Sequence, residues 1–351
     1  MIVTTAKLPG YISECMEADL VPFIKGPPAI GKSDIVRQVA EEYNLKVLDF
    51  RLSQADTTDL NGLPSYTEDG LKATFKPMDT FPIDTDPLPV KADGTQYDGW
   101  LLFLDELNSA PLAIQAAAFK VVLDRQVGQH NLHSHVRIVA AGNREIDKAI
   151  TNRMSTPMQS RLAHFELKID HKAWLKWAGN HGIDYRIMSF IGFKPEILYN
   201  FKPDHNKETY ASPRTWEFCN RLVVGRKDIG TDRIPLMAAV IDEVAAREFY
   251  SYAKIFKSLI TIPQIIANPK KAMIPEEPGT IYALTGTIGY HMKGSNAEKL
   301  MEYVERLPIE FQILALQVAI KRDQSEDRTG TKILSIPSIK SWIREHSQDL
   351  F

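Results

Sequence analysis

The stretch Gly26-Pro27-Pro28-Ala29-Ile30-Gly31-Lys32-Ser33 constrains this chain more than any other. It satisfies the pattern of Gly, four residues, Gly, Lys and Ser/Thr, in which a glycine-rich turn points backbone N–H groups at phosphate oxygens. A short apolar run precedes it (Leu20, Val21, Phe23, Ile24), the length of a buried strand. A helical pattern follows, with Ile35, Val36, Val39, Ala40 and Tyr43 on one side. That order sets a helix N-terminus, with its partial positive charge, against a bound phosphate. In such a loop Lys32 reaches the β- and γ-phosphates and the Ser33 hydroxyl ligates Mg²⁺, with Asp34 ending the nucleotide-contacting run. The plain alternative is a glycine-rich strand-to-helix turn with a surface lysine, and the flanking strand and helix argue against it.

A second half of the site is expected at Trp100-Leu101-Leu102-Phe103-Leu104, an unbroken apolar strand ending in Asp105-Glu106. Open α/β sheets bind ligands at the carboxyl ends of their strands, so this acidic pair should stand beside the phosphate loop. Asp105 would hold Mg²⁺ through water, and Glu106 would orient and deprotonate the attacking water. An acidic helix cap at a strand exit is the competing explanation. Val136 to Ala141 reads as another buried strand, and Asn143 just past it would touch the γ-phosphate or the attacking water unless it is only a turn residue after Gly142.

The remaining chain supplies context. Its 351 residues suggest about two domains, and a formal charge of −2 gives no polyanion-binding surface over the whole molecule. Cys15 and Cys219 are far apart and in no metal spacing, as expected of thiols in a reducing compartment. The first residues do not read as a signal peptide, and no apolar run approaches the ~20 residues that span a bilayer, so a cytoplasmic protein is expected. Residues 11 to 18, after a Pro9-Gly10 turn, read as a short polar helix, and 46 to 52 as a second buried strand. Asp56, Asp59, Asn61 and Gly62 suit a turn with a helix cap. Residues 64 to 99 have little periodicity, and a long irregular insert of this kind is usually functional or mobile.

A helix is expected from Pro111 to about Leu123, and a hairpin from Gln126 to His135. His130, His133 and His135 in that hairpin fit no strong zinc spacing and read as a solvated or partner-facing tip. Arg144, Arg153 and Arg161 are candidates for an arginine offered to a neighbouring subunit's phosphoryl group. From about residue 169 the pattern turns helical, with a loop over 204 to 210. Ser212 then caps a helix that carries Pro213 in its first turn, and Arg214 there is a candidate to reach the γ-phosphate. A long helical pattern over 235 to 261 breaks at Pro263. A linker-like 268 to 271 leads to amphipathic helices marked by Leu300, Val304 and Leu307 and by Phe311, Leu314 and Val318, and a last helix lies around Trp342.

With these residues in view, the chain resembles the MoxR branch of the AAA+ ATPases. The densest likeness is Leu104-Asp105-Glu106-Leu107-Asn108-Ser109-Ala110-Pro111, with Gln115 and Asp124-Arg125-Gln126-Val127. Ala140-Ala141-Gly142-Asn143-Arg144 resembles the sensor-1 strand, and residues 158 to 165 the segment with the arginine finger, which favours Arg161 over Arg153. Ala211-Ser212-Pro213-Arg214 is similar to the sensor-2 motif. Two departures stand out: Ala29-Ile30 where relatives often carry Gly and a small polar residue, and Ser109 in place of a frequent arginine.

The resemblance implies an α/β P-loop AAA+ core over residues 1–168, a parallel sheet flanked by helices. A helical lid over 169–262 and a helical C-terminal extension over 263–351 would follow. It further implies ATP and Mg²⁺ as ligands and ring assembly, usually a hexamer. Lys32, Ser33, Asp105, Glu106, Asn143 and Arg214 would act in cis and Arg161 in trans. The client would be a protein, often one with a von Willebrand factor A-like domain. Two other classes compete: a nucleic-acid motor, which the neutral charge and the lack of a basic, aromatic-interleaved stretch disfavour, and a slow nucleotide-gated scaffold.

Overall fold

Six parallel strands, in the order β1-β10-β2-β9-β6-β3, organise the first of two compact units in the chain, Met1–Asp170. A computed structural model describes residues 1–67, 69–147, 151–203, 208–327 and 331–346, with the backbone alone at 256–258, 324–327 and 331. In sequence the first unit runs β1 (Ile2–Thr4), α1 (Leu8–Glu17), β2 (Val21–Lys25), α2 (Lys32–Glu42), β3 (Leu45–Arg51), α3 (Thr57–Asn61), β4 (Leu63–Tyr66) and β5 (Ala73–Lys76). It continues with β6 (Gly99–Asp105), α4 (Leu112–Leu123), β7 (Gln126–Val127), β8 (His130–Asn131), β9 (Val136–Gly142), α5 (Thr156–Gln159) and β10 (Leu162–Lys168).

The central strands are apolar along their whole length because both faces are covered. From Gly99 to Leu104 every residue of β6 is buried, and β9 is buried apart from Arg137. One face packs Phe23, Leu102, Leu104, Ile138 and Ala140 against Ile114, Ala118 and Val121 of α4, so the helix expected after Pro111 buries the side that its spacing marks.

Four expectations need correction. The strand read at 46–52 is β3, which lies at the sheet edge: Val47, Leu48 and Phe50 are only half-buried, Leu48 and Phe50 against the core, while Lys46, Asp49 and Arg51 are exposed. Pro9 and Gly10 form no separate turn: they belong to the first turn of α1, where a proline's missing N–H has no helical partner to lose, and Leu8, Ile12, Cys15 and Met16 face inward. The insert at 64–99 holds a β4–β5 hairpin, with Leu63 opposite Lys76 and Tyr66 opposite Ala73. Around Pro263 the chain does not simply break, since that proline sits in the first turn of a further helix.

The expected cap at Asp56 is present: its carboxylate accepts from Thr58 N, and Asp59 answers by accepting from Asp56 N. The three hairpin histidines each find a carbonyl or ring. His130 Nε2 lies 3.2 Å from Phe75 O and His135 Nδ1 2.8 Å from Asp98 O, while the His133 ring packs edge-on to Trp100.

From His171 on, the chain forms a second, all-helical unit, while Lys202 and Pro203 group with the first. Its helices are α6 (His171–Asn180), α7 (Tyr185–Phe193), α8 (Pro213–Val223), α9 (Ile234–Ile241), α10 (Glu243–Ser258), α11 (Ile262–Ala267), α12 (Pro278–His291), α13 (Ala297–Val304), α14 (Ile309–Asp327), α15 (Thr331–Leu334) and α16 (Pro337–Glu345). The helical pattern read over 235–261 is thus divided at Asp242, whose φ of 75° turns the chain and whose carboxylate caps α10. Part of the loop expected at 204–210, residues 204–207, lies outside the described residues.

Phe190, Trp216 and Phe249 meet edge-on or tilted in an aromatic centre. A second apolar cluster gathers Leu284, Ile288, Leu300, Val304 and Trp342, and Trp342 Nε1 donates to the buried Gln312 amide at 2.7 Å. Burial pushes the Cys15 thiol up, and the Cys219 thiol up to about 12. Among the described residues no helix is long and apolar enough to cross a membrane.

Candidate nucleotide site

The loop between β2 and α2 is shaped by close contact and by two left-handed residues. Gly26 is buried, and a Cβ there would meet Ile30 Cδ1 at 2.8 Å and Leu167 O at 3.3 Å. Gly31 precedes α2 with a φ of 89°, where glycine costs nothing. Ala29 also adopts a positive φ, 60°, a conformation that disfavours a Cβ by roughly 1–2 kcal/mol. Pro27 is buried and Pro28 half-buried, so few residues of the loop are free to rearrange.

Lys32 opens α2 and folds back over the loop, donating to Gly26 O at 2.8 Å and Pro27 O at 3.0 Å. It also donates to Asn143 Oδ1 at 3.3 Å, which joins the loop to the end of β9. Beside it the Ser33 hydroxyl donates to Asp105 Oδ2 at 3.3 Å. Although β9 separates β2 from β6, the glycine loop and the acidic strand end therefore come together. Asp34, by contrast, is exposed and faces Arg37 at 3.5 Å.

Burial pushes the Asp105 carboxyl up, and the Glu106 N–H bond and Lys32 oppose that shift. Glu106 itself stands in the left-handed region, at φ 58° and ψ 32°. Its carboxylate accepts from the Ser53 hydroxyl, just past β3. Ser53 carries no sequence signal beyond following a strand, and sequence reasoning passed over it. Asn108 was legible only as part of a resembling stretch, yet its buried amide bonds both backbone groups of Asn143.

The arginines separate by position. Arg144 is tied to Asp147 by two bonds of 2.9 and 2.7 Å and to Glu166 at 3.5 Å; pairing with Asp147 raises its pKa further. Arg153 is exposed. Arg161 is exposed just before β10, held by Ser160 Oγ at 2.8 Å, with its guanidinium over the Phe119 ring. Leu162 pairs with Val21 at the start of β2, so Arg161 lies at the opposite end of the sheet from Gly26. Five strand residues span about 16 Å, beyond the reach of an arginine toward its own phosphate loop. Arg214 is exposed in the first turn of α8, in the helical unit, where Ser212 and Thr215 form the expected cap.

The Sigma-54 interaction domain, a protein family, matches residues 93–168 of this chain. No curated protein matches it. Among solved structures it is similar to NtrX from Brucella abortus in complex with ADP, at 14% identity and a TM-score of 0.35, over 98% of this chain and 67% of that one. A second NtrX structure from Brucella abortus gives 12% identity and a TM-score of 0.36, over 89% of this chain and 67% of that one. The parallel sheet, the loop between β2 and α2 and the acidic end of β6 give this chain the P-loop AAA+ fold, followed by a helical C-terminal part.

Proposed function

We propose that this chain is the ATP-hydrolysing subunit of a ring-shaped motor that remodels a protein client. The observation that carries the reading is the Ser33 hydroxyl 3.3 Å from Asp105 Oδ2, with Lys32 and Asn143 alongside. A hydroxyl and a carboxylate suit a hard, oxygen-seeking cation. The oxygen donors of Ser33 and Asp105, 3.3 Å apart, thus fit Mg²⁺, and a bound cation would offset the burial that pushes the Asp105 carboxyl up. When bound, that ion neutralises charge on the β- and γ-phosphate oxygens.

The chain's own residues supply the rest. Lys32 exchanges its loop carbonyl partners for phosphate oxygens, and the loop N–H groups hold the β-phosphate. Glu106 takes the proton of the attacking water, and Asn143 fixes that water or the γ-phosphate. Arg161 meets the developing charge in the adjoining subunit's site, a role supported by its distance from its own loop, and Arg214 takes the sensor role that its motif implies. The catalytic effect is thus mostly one of placed charge.

The finer reading is a cytoplasmic MoxR-type remodeller, a hexamer acting on a client with a von Willebrand factor A-like domain. Its support is the stretch Leu104 to Pro111 together with Asp124 to Val127. A second reading, a motor acting on a sigma-54-like partner, draws on the match over residues 93–168. That match holds Asp105, Glu106, Asn143 and Arg161 but begins downstream of the β4–β5 hairpin. It therefore speaks for the hydrolytic machinery more than for the client.

Steady-state phosphate release from purified protein, with Mg²⁺ and with chelator, tests the proposal. Mg²⁺-dependent hydrolysis is expected. Glu106→Gln should keep ATP binding while losing turnover by at least about a hundredfold, the usual weight of a general base. Failure of the parent protein to bind ATP at millimolar concentration would remove the motor reading, and normal turnover in Glu106→Gln would remove Glu106 from its role.

A further inference from the structure

Asn108 makes an unusual pair of bonds. Its Nδ2 donates to Asn143 O at 2.7 Å, and its Oδ1 accepts from Asn143 N at 3.0 Å. The side-chain amide thereby behaves like one residue of a neighbouring strand, pairing with the backbone just past the end of β9. It is only 6% exposed, so water offers little substitute for either bond.

The preceding residue is fitted to this pair. Gly142 has no left-handed backbone to explain it. A Cβ at that position would instead fall 2.2 Å from Asn108 Oδ1, 2.9 Å from its Cγ and 2.9 Å from Phe23 Cζ. Glycine is thus needed at 142 both for the amide of Asn108, 34 residues away, and for the ring of Phe23.

Both ends of this clasp lead to the reacting groups. Asn108 sits in the single turn that starts at Glu106, where Ser109 N and Ala110 N both donate to Glu106 O, at 2.9 and 3.2 Å. The Asn143 amide in turn accepts from Lys32 at 3.3 Å and lies 3.5 Å from Ser109 Oγ. The backbone of Asn108 is held as well, since its carbonyl accepts from Asn152 N at 2.6 Å.

We infer that Asn108 is the positioning residue of this site: its amide locks the backbone of Asn143 to the Glu106 turn, so that the γ-phosphate sensor and the general base move as one piece. The inference rests on the nucleotide reading above. Asn108 acts through Asn143 and Glu106 rather than by touching nucleotide or water itself.

Three variants test it, each assayed for turnover, for KM and for thermal unfolding. Asn108→Ala should lower kcat by about tenfold or more and leave KM within about twofold, because misplacement of the order of an ångström has that weight on chemistry but little on phosphate-loop binding. Asn108→Asp preserves volume. Its carboxyl restores both bonds only when protonated, so its turnover relative to the parent should rise as pH is lowered from about 8 to about 6. In Asn108→Ala/Gly142→Ala the new methyl clears the lost amide but still meets Phe23 Cζ at 2.9 Å, so Tm should not exceed that of Asn108→Ala and kcat should stay low.

The preference for ATP over ADP, measured in a Glu106→Gln background, gives a readout that needs no hydrolysis and should shrink when Asn108 is changed to Asp. Unchanged kcat in Asn108→Ala would overturn the inference. So would a joint loss of kcat, KM and Tm with no acid recovery in Asn108→Asp. Should Asn108→Ala not fold, the Asp variant and the nucleotide preference decide. A parent protein that binds no nucleotide defeats the nucleotide reading itself, an outcome distinct from any variant-specific result.

Discussion

The Ser53 hydroxyl donates to the Glu106 carboxylate, so the group proposed to activate water is tethered to the end of the sheet's edge strand. That bond holds the side chain toward β3 instead of leaving it free to seek water. Ser53→Ala is therefore expected to raise basal turnover by roughly five- to twelvefold, the population shift that matches about 1–1.5 kcal/mol, with ATP affinity unchanged. Steady-state hydrolysis with and without a client protein checks this; an equal or slower basal rate would rule out a restraining role.

Asp105 makes a trade between stability and metal binding. Burial raises its pKa in the fold, which means that the folded state holds its proton more tightly than the unfolded chain. The stability associated with this group is then present at low pH and lost as pH rises through the raised value. Asp105→Asn should raise the Tm of the nucleotide-free protein at neutral pH, flatten its pH dependence over the acid range, and abolish the added protection given by Mg²⁺ with ATP. Melting curves with and without nucleotide give all three results.

Ala29 holds a left-handed conformation without being glycine. Ala29→Gly relieves the Cβ strain but adds freedom to the unfolded chain, and a net gain of about 0.5–1 kcal/mol is expected. For a unit of this size that is roughly a 2 °C rise in Tm. Nucleotide affinity should not change, because the backbone path is already the one that glycine prefers. A fall in Tm would mean that the loop is not strained at this position.

Arg161 and Lys32 lie at opposite ends of one sheet, which makes a shared site between subunits testable by mixing. Arg161→Ala and Lys32→Ala are each expected to be inactive in a homogeneous ring. In an equimolar mixture roughly a quarter of the junctions combine an intact Lys32 with an intact neighbouring Arg161. A comparable fraction of parent turnover should return. Rings that form but stay silent would argue against Arg161 and bring Arg153 forward.

Much of the site was legible because its parts are local. The loop Gly26 to Ser33 lies between a strand and a helix that the spacing alone identifies, and Asp105-Glu106 ends a run too apolar to be anything but buried. What escaped was set by partners distant in sequence. Ser53 becomes relevant only because β3 pairs with β6, and Asn108 only because its turn lies beside the end of β9. The edge position of β3 was hidden for the same reason, since Val47, Leu48 and Phe50 read as core until the strand order leaves one side of β3 unpaired. The β4–β5 hairpin was missed because Leu63, Tyr66 and Phe75 are exposed and give no core-facing alternation.

Strand β9 lies between the two strands whose ends must cooperate, and this makes it a gauge. Two inter-strand spacings, about 9.6 Å, separate the track of β2 from that of β6. That width is fixed by peptide hydrogen bonding that no side-chain substitution can retune. Evolution can redecorate the hairpins or the helices outside it, but the bite available to a triphosphate keeps its calibration for as long as the middle strand keeps its register.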